Sequence, residues 1–171
     1  MSASEPTLKE KNVQIIRRGD TEIIDVLGVH MEWKITEYDT GHHYCVFEMN
    51  VAPGALVPLH HHAPQETFLV LEGHAEFGRL ASNGAEWLPV EPGDTVHVPS
   101  WVYHGFRNTS DASARVLLTC AAGLEPFFRE SGIPVMPGMP QPPRPPSPAD
   151  IERVAAIAAK HGSYFLSRPE V

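Results

Sequence analysis

The chain has 171 residues, 42% of them hydrophobic, and a formal net charge of −8 from 13 basic and 21 acidic side chains. This fits one globular domain with a short appendage and excludes wholesale disorder. The acidic balance speaks against a nucleic-acid partner, whose phosphates are met mainly by Lys and Arg. No run approaches the about 20 apolar residues that span a bilayer, so no membrane partner is expected either.

Residues 1–11 are polar and lack the apolar centre of a secretory leader. They read as a disordered tail, and the expected location is the cytoplasm. The adjacent pair Arg17-Arg18 reads as a solvated turn. From residue 12 onward come short β-like runs at 13–16, 22–27, 31–38 and 43–51, then at 67–71, 74–80, 86–90, 95–98 and 115–121. Gly19-Asp20, Pro53-Gly54, Glu72-Gly73 and Pro92-Gly93-Asp94 break them, and Asn83-Gly84 is a hairpin-turn signal. Many short strands at this spacing predict an all-β fold, an antiparallel jelly-roll barrel, and no long helical period argues for a parallel α/β sheet. Cys45 and Cys120 sit in apolar runs and read as small buried hydrophobes, since two cysteines make no disulfide framework.

Past residue 122 the character changes. Residues 124–130 suit one short helix, with Phe127 and Phe128 turned back on the barrel. Residues 134–148 hold eight prolines and read as an extended strap. Ser147-Pro148-Ala149-Asp150 then opens a helix, with Ser as N-cap and Pro at the first helical position. Ile151, Val154, Ala155 and Ala158 give it one apolar face, and Gly162 is a stop signal. The expected organisation is a tail at 1–11, a barrel domain at 12–130, and a strap with a C-terminal helix at 131–171. The last piece packs on the barrel as a structural element, or serves as a lid or an arm to a partner subunit.

The informative stretch runs from Gly54 through His60, His61 and His62 to Glu66. Side chains on a strand alternate, so His60 and His62 share a face and His61 points the other way. The three residues before Glu66 are enough to turn the chain and bring a carboxylate in from the neighbouring strand. His104 follows His60 by 44 residues, a separation that a rolled antiparallel sheet can close. Three imidazoles and a carboxylate, with no thiolate, disfavour a closed structural zinc site. The set suits one divalent transition metal ion: Fe, Mn, Ni, Cu or Zn, with Fe(II) the first choice. Four protein ligands leave one or two positions of a five- or six-coordinate ion open for substrate or dioxygen.

With these residues the chain resembles the cupin family. The first cupin motif, G-x5-H-x-H-x3-4-E-x6-G, matches at Gly54, His60, His62, Glu66 and Gly73. The second, G-x5-P-x-G-x2-H-x3-N, matches at Gly93, Pro99, His104 and Asn108. Trp101 stands where that motif has glycine, and because Trp takes a positive φ with difficulty, a different turn is expected there. The resemblance covers about residues 44–122. It implies a β-barrel with metal held inside by His60, His62, Glu66 and His104.

Alternation from the ligands nominates Phe68, Val70 and Phe106 as pocket walls, favouring an aromatic or aliphatic small-molecule substrate. Arg107 falls on the opposite face from His104. Glu48 is expected to face outward, His97 to be a surface histidine, and Tyr103 to lie off the ligand face. Glu66 is the candidate catalytic group. The expected function is a metal-dependent, dioxygenase-type oxidoreductase. The alternatives are a non-catalytic small-molecule or sugar-binding protein, or a sugar isomerase or epimerase. A homodimer is expected, on the habit of the resembled family.

Overall fold

The computed structural model describes residues 12–136 and 145–166. The tail expected at 1–11 and the stretch 137–144 of the proline strap lie outside the described residues. The strands are β1 (Ile23–Val26), β2 (Val29–Ile35), β3 (Tyr44–Val51), β4 (Leu56–His61), β5 (Glu66–Glu72) and β6 (Ala75–Ala81). They continue with β7 (Gly84–Val90), β8 (Thr95–Val98), β9 (His104–Arg107), β10 (Ala114–Ala121), β11 (Ile133–Pro134) and β12 (Tyr164–Phe165). Two helices, α1 (Glu125–Ser131) and α2 (Pro148–Lys160), flank β11. One antiparallel sheet has the order β11-β1-β2-β3-β10-β5-β8, and the other β12-β4-β9-β6-β7. This is a jelly roll in which two sheets enclose the core.

Period-two patterning makes the sheets. On β3, Cys45, Phe47, Met49 and Val51 are buried while Tyr44 and Asn50 are exposed. On β10, Val116, Leu118 and Cys120 are buried and Arg115, Leu117 and Thr119 are less so. Phe68, Phe77 and Phe106 meet between the sheets at centroid separations of 4.9 to 5.9 Å, in the tilted and edge contacts that aromatic rings favour. The run at 13–16 is not a strand: Val13 and Ile15 are 86% and 74% exposed, and without a ladder partner a four-residue apolar run has no means of becoming sheet. The β6–β7 hairpin closes with Ala81 opposite Gly84, so its two-residue turn is Ser82-Asn83, one residue earlier than the sequence suggests.

The C-terminal elements close one end of the sandwich. Ser147 and Asp150 form a reciprocal capping box at the start of α2. The helix buries Val154 and Ala158 and ends at Lys160; just beyond it Gly162 takes a φ of +73° while Ser163 N–H donates to Ala158 O. The buried Glu37 carboxylate accepts the Gly123 and Glu125 N–H groups, fixing the entry to α1. β12 then pairs with β4, placing Tyr164 opposite His61 and Phe165 opposite His60. The C-terminal segment therefore packs on its own domain. Among the described residues no helix is long and apolar enough to cross a membrane.

Strand β9 approaches β4 unusually closely. A Cβ on Gly105 would lie 2.6 Å from Val57 O, and the register between the strands shifts between Val57 and His60. That contact sets His60 opposite His104. Gly105→Ala is expected to destabilise the fold by about 1–3 kcal/mol, the usual cost of overpacking a tight site. Chemical denaturation checks this, and an unchanged midpoint would contradict the stated role of the close approach.

Candidate metal centre

Three of the four expected ligands come from the smaller sheet. His60 lies on β4, His62 just beyond its end, and His104 opens β9. One donor atom from each of these histidines lies within 4.8 Å of the others. Their rings are 4.3 Å apart for His60–His104, 4.9 Å for His62–His104 and 5.4 Å for His60–His62. Glu66 opens β5, which belongs to the facing sheet rather than to a strand neighbouring β4. Its carboxylate crosses the sandwich to reach the imidazoles: Oε2 is 2.9 Å from His104 Nε2 and 3.6 Å from His62 Nε2.

The other ring nitrogens reveal how the site is tuned. His60 Nδ1 donates to Pro58 O at 2.9 Å, His62 Nδ1 to Pro64 O at 2.8 Å and His104 Nδ1 to Val102 O at 2.9 Å. A carbonyl oxygen only accepts, so each Nδ1 carries hydrogen and each Nε2 is the nitrogen left to face the site. Backbone carbonyls that fix the tautomer and orientation of imidazoles are the support that metal-binding histidines require. The donor set and its support thus fit a divalent transition ion.

The electrostatics are those of a compact buried cluster. Burial disfavours the charged form of His60, and the neighbouring His104 adds to this, lowering its pKa to about 3. For Glu66 burial works toward a higher pKa, but the hydrogen bond with His104 and the nearby His62 outweigh it and hold the carboxyl well below its usual range. Burial likewise opposes charge on His104, yet its hydrogen bond to Glu66 prevails and raises that imidazole.

The other residues singled out from the sequence fall as follows. Phe68 and Phe106 line the cavity beside the histidines, whereas Val70 is buried in the core outside that lining. Glu48 faces outward between Lys34 and Arg115, at 3.7 and 3.5 Å. His97 is exposed and meets the Thr67 hydroxyl, and Tyr103 packs edge-on against His61 away from the site. Trp101 corrects the expectation of a different turn. It adopts a φ of +65°, the left-handed conformation itself, with its N–H donated to His62 O at 2.7 Å. A bulky residue in that region carries strain, and the bond to His62 makes this turn a direct support of a site histidine.

The cavity is small, with a volume of about 50 Å³. Met31, Met49, Phe68, Phe106 and Leu118 form walls contributed by the sheets. Phe127, Phe128, Val154, Ser163 and Phe165 close it from the C-terminal elements, and Phe165 stacks on His60 at 5.2 Å. Of these, the sequence places Phe127 and Phe128 in packing on the barrel and Val154 on the apolar face of the C-terminal helix. Only the pairing of β12 with β4 brings Phe165 to the site.

Residues 47–120 match the model of the cupin domain family. Among solved structures, a polyketide cyclase from Streptomyces resistomycificus is similar at 22% identity and a TM-score of 0.56, over 64% of this chain and 80% of its own. A predicted oxalate decarboxylase from Thermotoga maritima is similar at 21% identity and 0.56, over 64% and 99%. An RmlC-like cupin from Shewanella frigidimarina is similar at 19% identity and 0.55, over 69% and 98%. At such identities the likeness speaks for the fold alone. No curated protein matches the chain.

The shifts above set a pH dependence for the metal-free protein. The folded His60 pKa lies below its unfolded value, so the unfolded chain binds more protons and stability falls as pH drops from 6.5 toward 3. Glu66 acts in the same direction, its contribution present above the ordinary value of 4.5 and lost on acidification through its lowered pKa. His104 opposes both, with a contribution complete below pH 6.5 and lost as pH rises through its raised pKa. Denaturant melts from pH 7 to pH 4 are expected to show a falling midpoint, and a shallower fall in His60→Gln, whose amide does not titrate. Equal slopes in the two proteins would contradict the assignment to His60.

Proposed function

We propose that this chain, whose residues 47–120 match the cupin domain family, is a metal-dependent oxygenase acting on a small apolar or aromatic molecule. The observation that carries the reading is the character of the cavity. Apart from His60, His62 and Glu66, Ser163 is the one polar residue among its described lining residues. Among the described residues no Lys or Arg lines it to hold a carboxylate or a phosphate. That disfavours anionic substrates such as sugar phosphates and oxalate, the latter suggested by the name of one structural neighbour. Nor do the described lining residues offer a base besides the proposed ligands, as an isomerase or epimerase requires.

In this reading His60, His62 and His104 present Nε2 to the ion, and Glu66 supplies the negative charge. A ferrous ion held there would supply Lewis acidity and one-electron redox capacity. The chain's own residues do the rest. The three backbone carbonyls keep the imidazoles in one tautomer. Phe68, Phe106 and Phe165 exclude water and present an apolar bed to the substrate. The narrowness of the cavity favours a flat or slender molecule, or a movement of β12 on entry.

Protein reconstituted with Fe(II) under low oxygen and then offered a panel of small aromatic compounds is expected to consume dioxygen above its substrate-free background. His62→Ala is expected to abolish the excess. An oxygen electrode with mass analysis of products checks both. Turnover of oxalate or sugar phosphates, with no uptake on any apolar compound, would overturn the proposal.

A further inference from the structure

Cys45, Cys120 and Glu66 form a row across three adjacent strands. Cys120 on β10 is the register partner of Cys45 on β3 and of Glu66 on β5. All three side chains point between the sheets, and both cysteines are free and fully buried. Cys120 Sγ lies 3.6 Å from Glu66 Oε1, while Oε2 of the same carboxylate is 2.9 Å from His104 Nε2. The two oxygens therefore face different neighbours, a thiol on one side and the imidazoles on the other.

We infer that Cys120 is a positioning residue for the metal centre, its S–H group holding Glu66 Oε1 so that Oε2 is directed at the histidines. The inference rests on the metal-site reading proposed above. A carboxylate has two rotatable bonds before its plane is set, and the His104 contact alone fixes one oxygen. A donor on the second oxygen fixes the plane. A thiol is a weak donor in water, but a buried hydrogen bond to a charged acceptor gains strength where no solvent competes. An ordinary thiol is protonated at neutral pH, so Cys120 has a hydrogen to donate. Cys120 thus acts as a donor beside the site, and Cys45 packs against it from the next strand. Neither cysteine belongs to the metal-capable cluster, which consists of the three histidines.

Two measurements test this, one needing no metal. In the infrared spectrum of the metal-free protein, the S–H stretching band lost in Cys120→Ser is the Cys120 band. It is expected to shift to higher frequency in Glu66→Gln, because a neutral amide oxygen accepts more weakly than a carboxylate. In the second, Co(II) affinity is measured by competition with a chromophoric chelator, and the visible spectrum of the bound ion is recorded. Cys120→Ala is expected to weaken Co(II) binding about tenfold, the lower end of the usual cost of removing a residue that supports a ligand, and to alter the spectrum. Cys120→Ser retains a donor and is expected to restore most of the affinity. An unmoved S–H band, or a Cys120→Ala protein with wild-type affinity and spectrum, would overturn the inference, as would equal losses in the Ala and Ser variants. Failure of the wild-type protein to bind Co(II) would instead overturn the metal-site reading.

Discussion

A carboxylate only 5% exposed inside an apolar sandwich must find partners, because an unpaired buried charge costs several kcal/mol. Glu66 is that carboxylate, and much of the structure can be read as the means of satisfying it. His104 and His62 approach one oxygen from the opposite sheet, and Cys120 approaches the other from the adjacent strand. The imidazoles are in turn held by backbone carbonyls at Pro58, Pro64 and Val102. None of these carbonyls lies inside a regular ladder interior: each belongs to the irregular stretches around β4 and before β9, where the β4–β9 register shifts. These irregular segments therefore orient the clustered imidazoles as well as joining strands.

The geometry depends on three close approaches. Gly105 lets β9 lie against Val57 and Pro58. Trp101 accepts a left-handed backbone so that its N–H can reach His62 O. Phe165 covers His60 as a stacked ring. The first is achieved by omitting a side chain and the second at the cost of local strain. The third comes from a C-terminal segment that holds its place through the short β12 ladder and the buried face of α2. Strain retained beside a functional group is how folds commonly hold a site in one geometry.

Much of this was legible in the sequence, because alternation is a local rule. It put His60 and His62 on one face, His61 on the other, and Phe68 and Phe106 beside the ligands. Capping chemistry placed the start of α2 at Ser147, and Gly162 its end. What local rules miss is long-range pairing. That Glu66 comes from the facing sheet, that Cys120 stands level with it, and that Phe165 lands on His60 are facts of topology. Val70 shows the limit of alternation: it shares the inward face with Phe68, but it lies farther along β5, where the core has closed. The run at 13–16 has strand-like composition and no strand beside it. Trp101 shows that a residue's preference can be overruled where a hydrogen bond to a site residue holds the turn.

The measurement that bears most directly on this account is elemental analysis of untagged protein purified under low oxygen, beside a His104→Ala control. The account predicts about one transition-metal ion per wild-type chain, the occupancy expected if the clustered His60, His62 and His104, with Glu66 beside them, act as the proposed ligands. It predicts loss of that ion in the variant. A wild-type protein that takes up no metal, even after reconstitution, would contradict it and leave the histidine cluster as a polar network around a buried carboxylate.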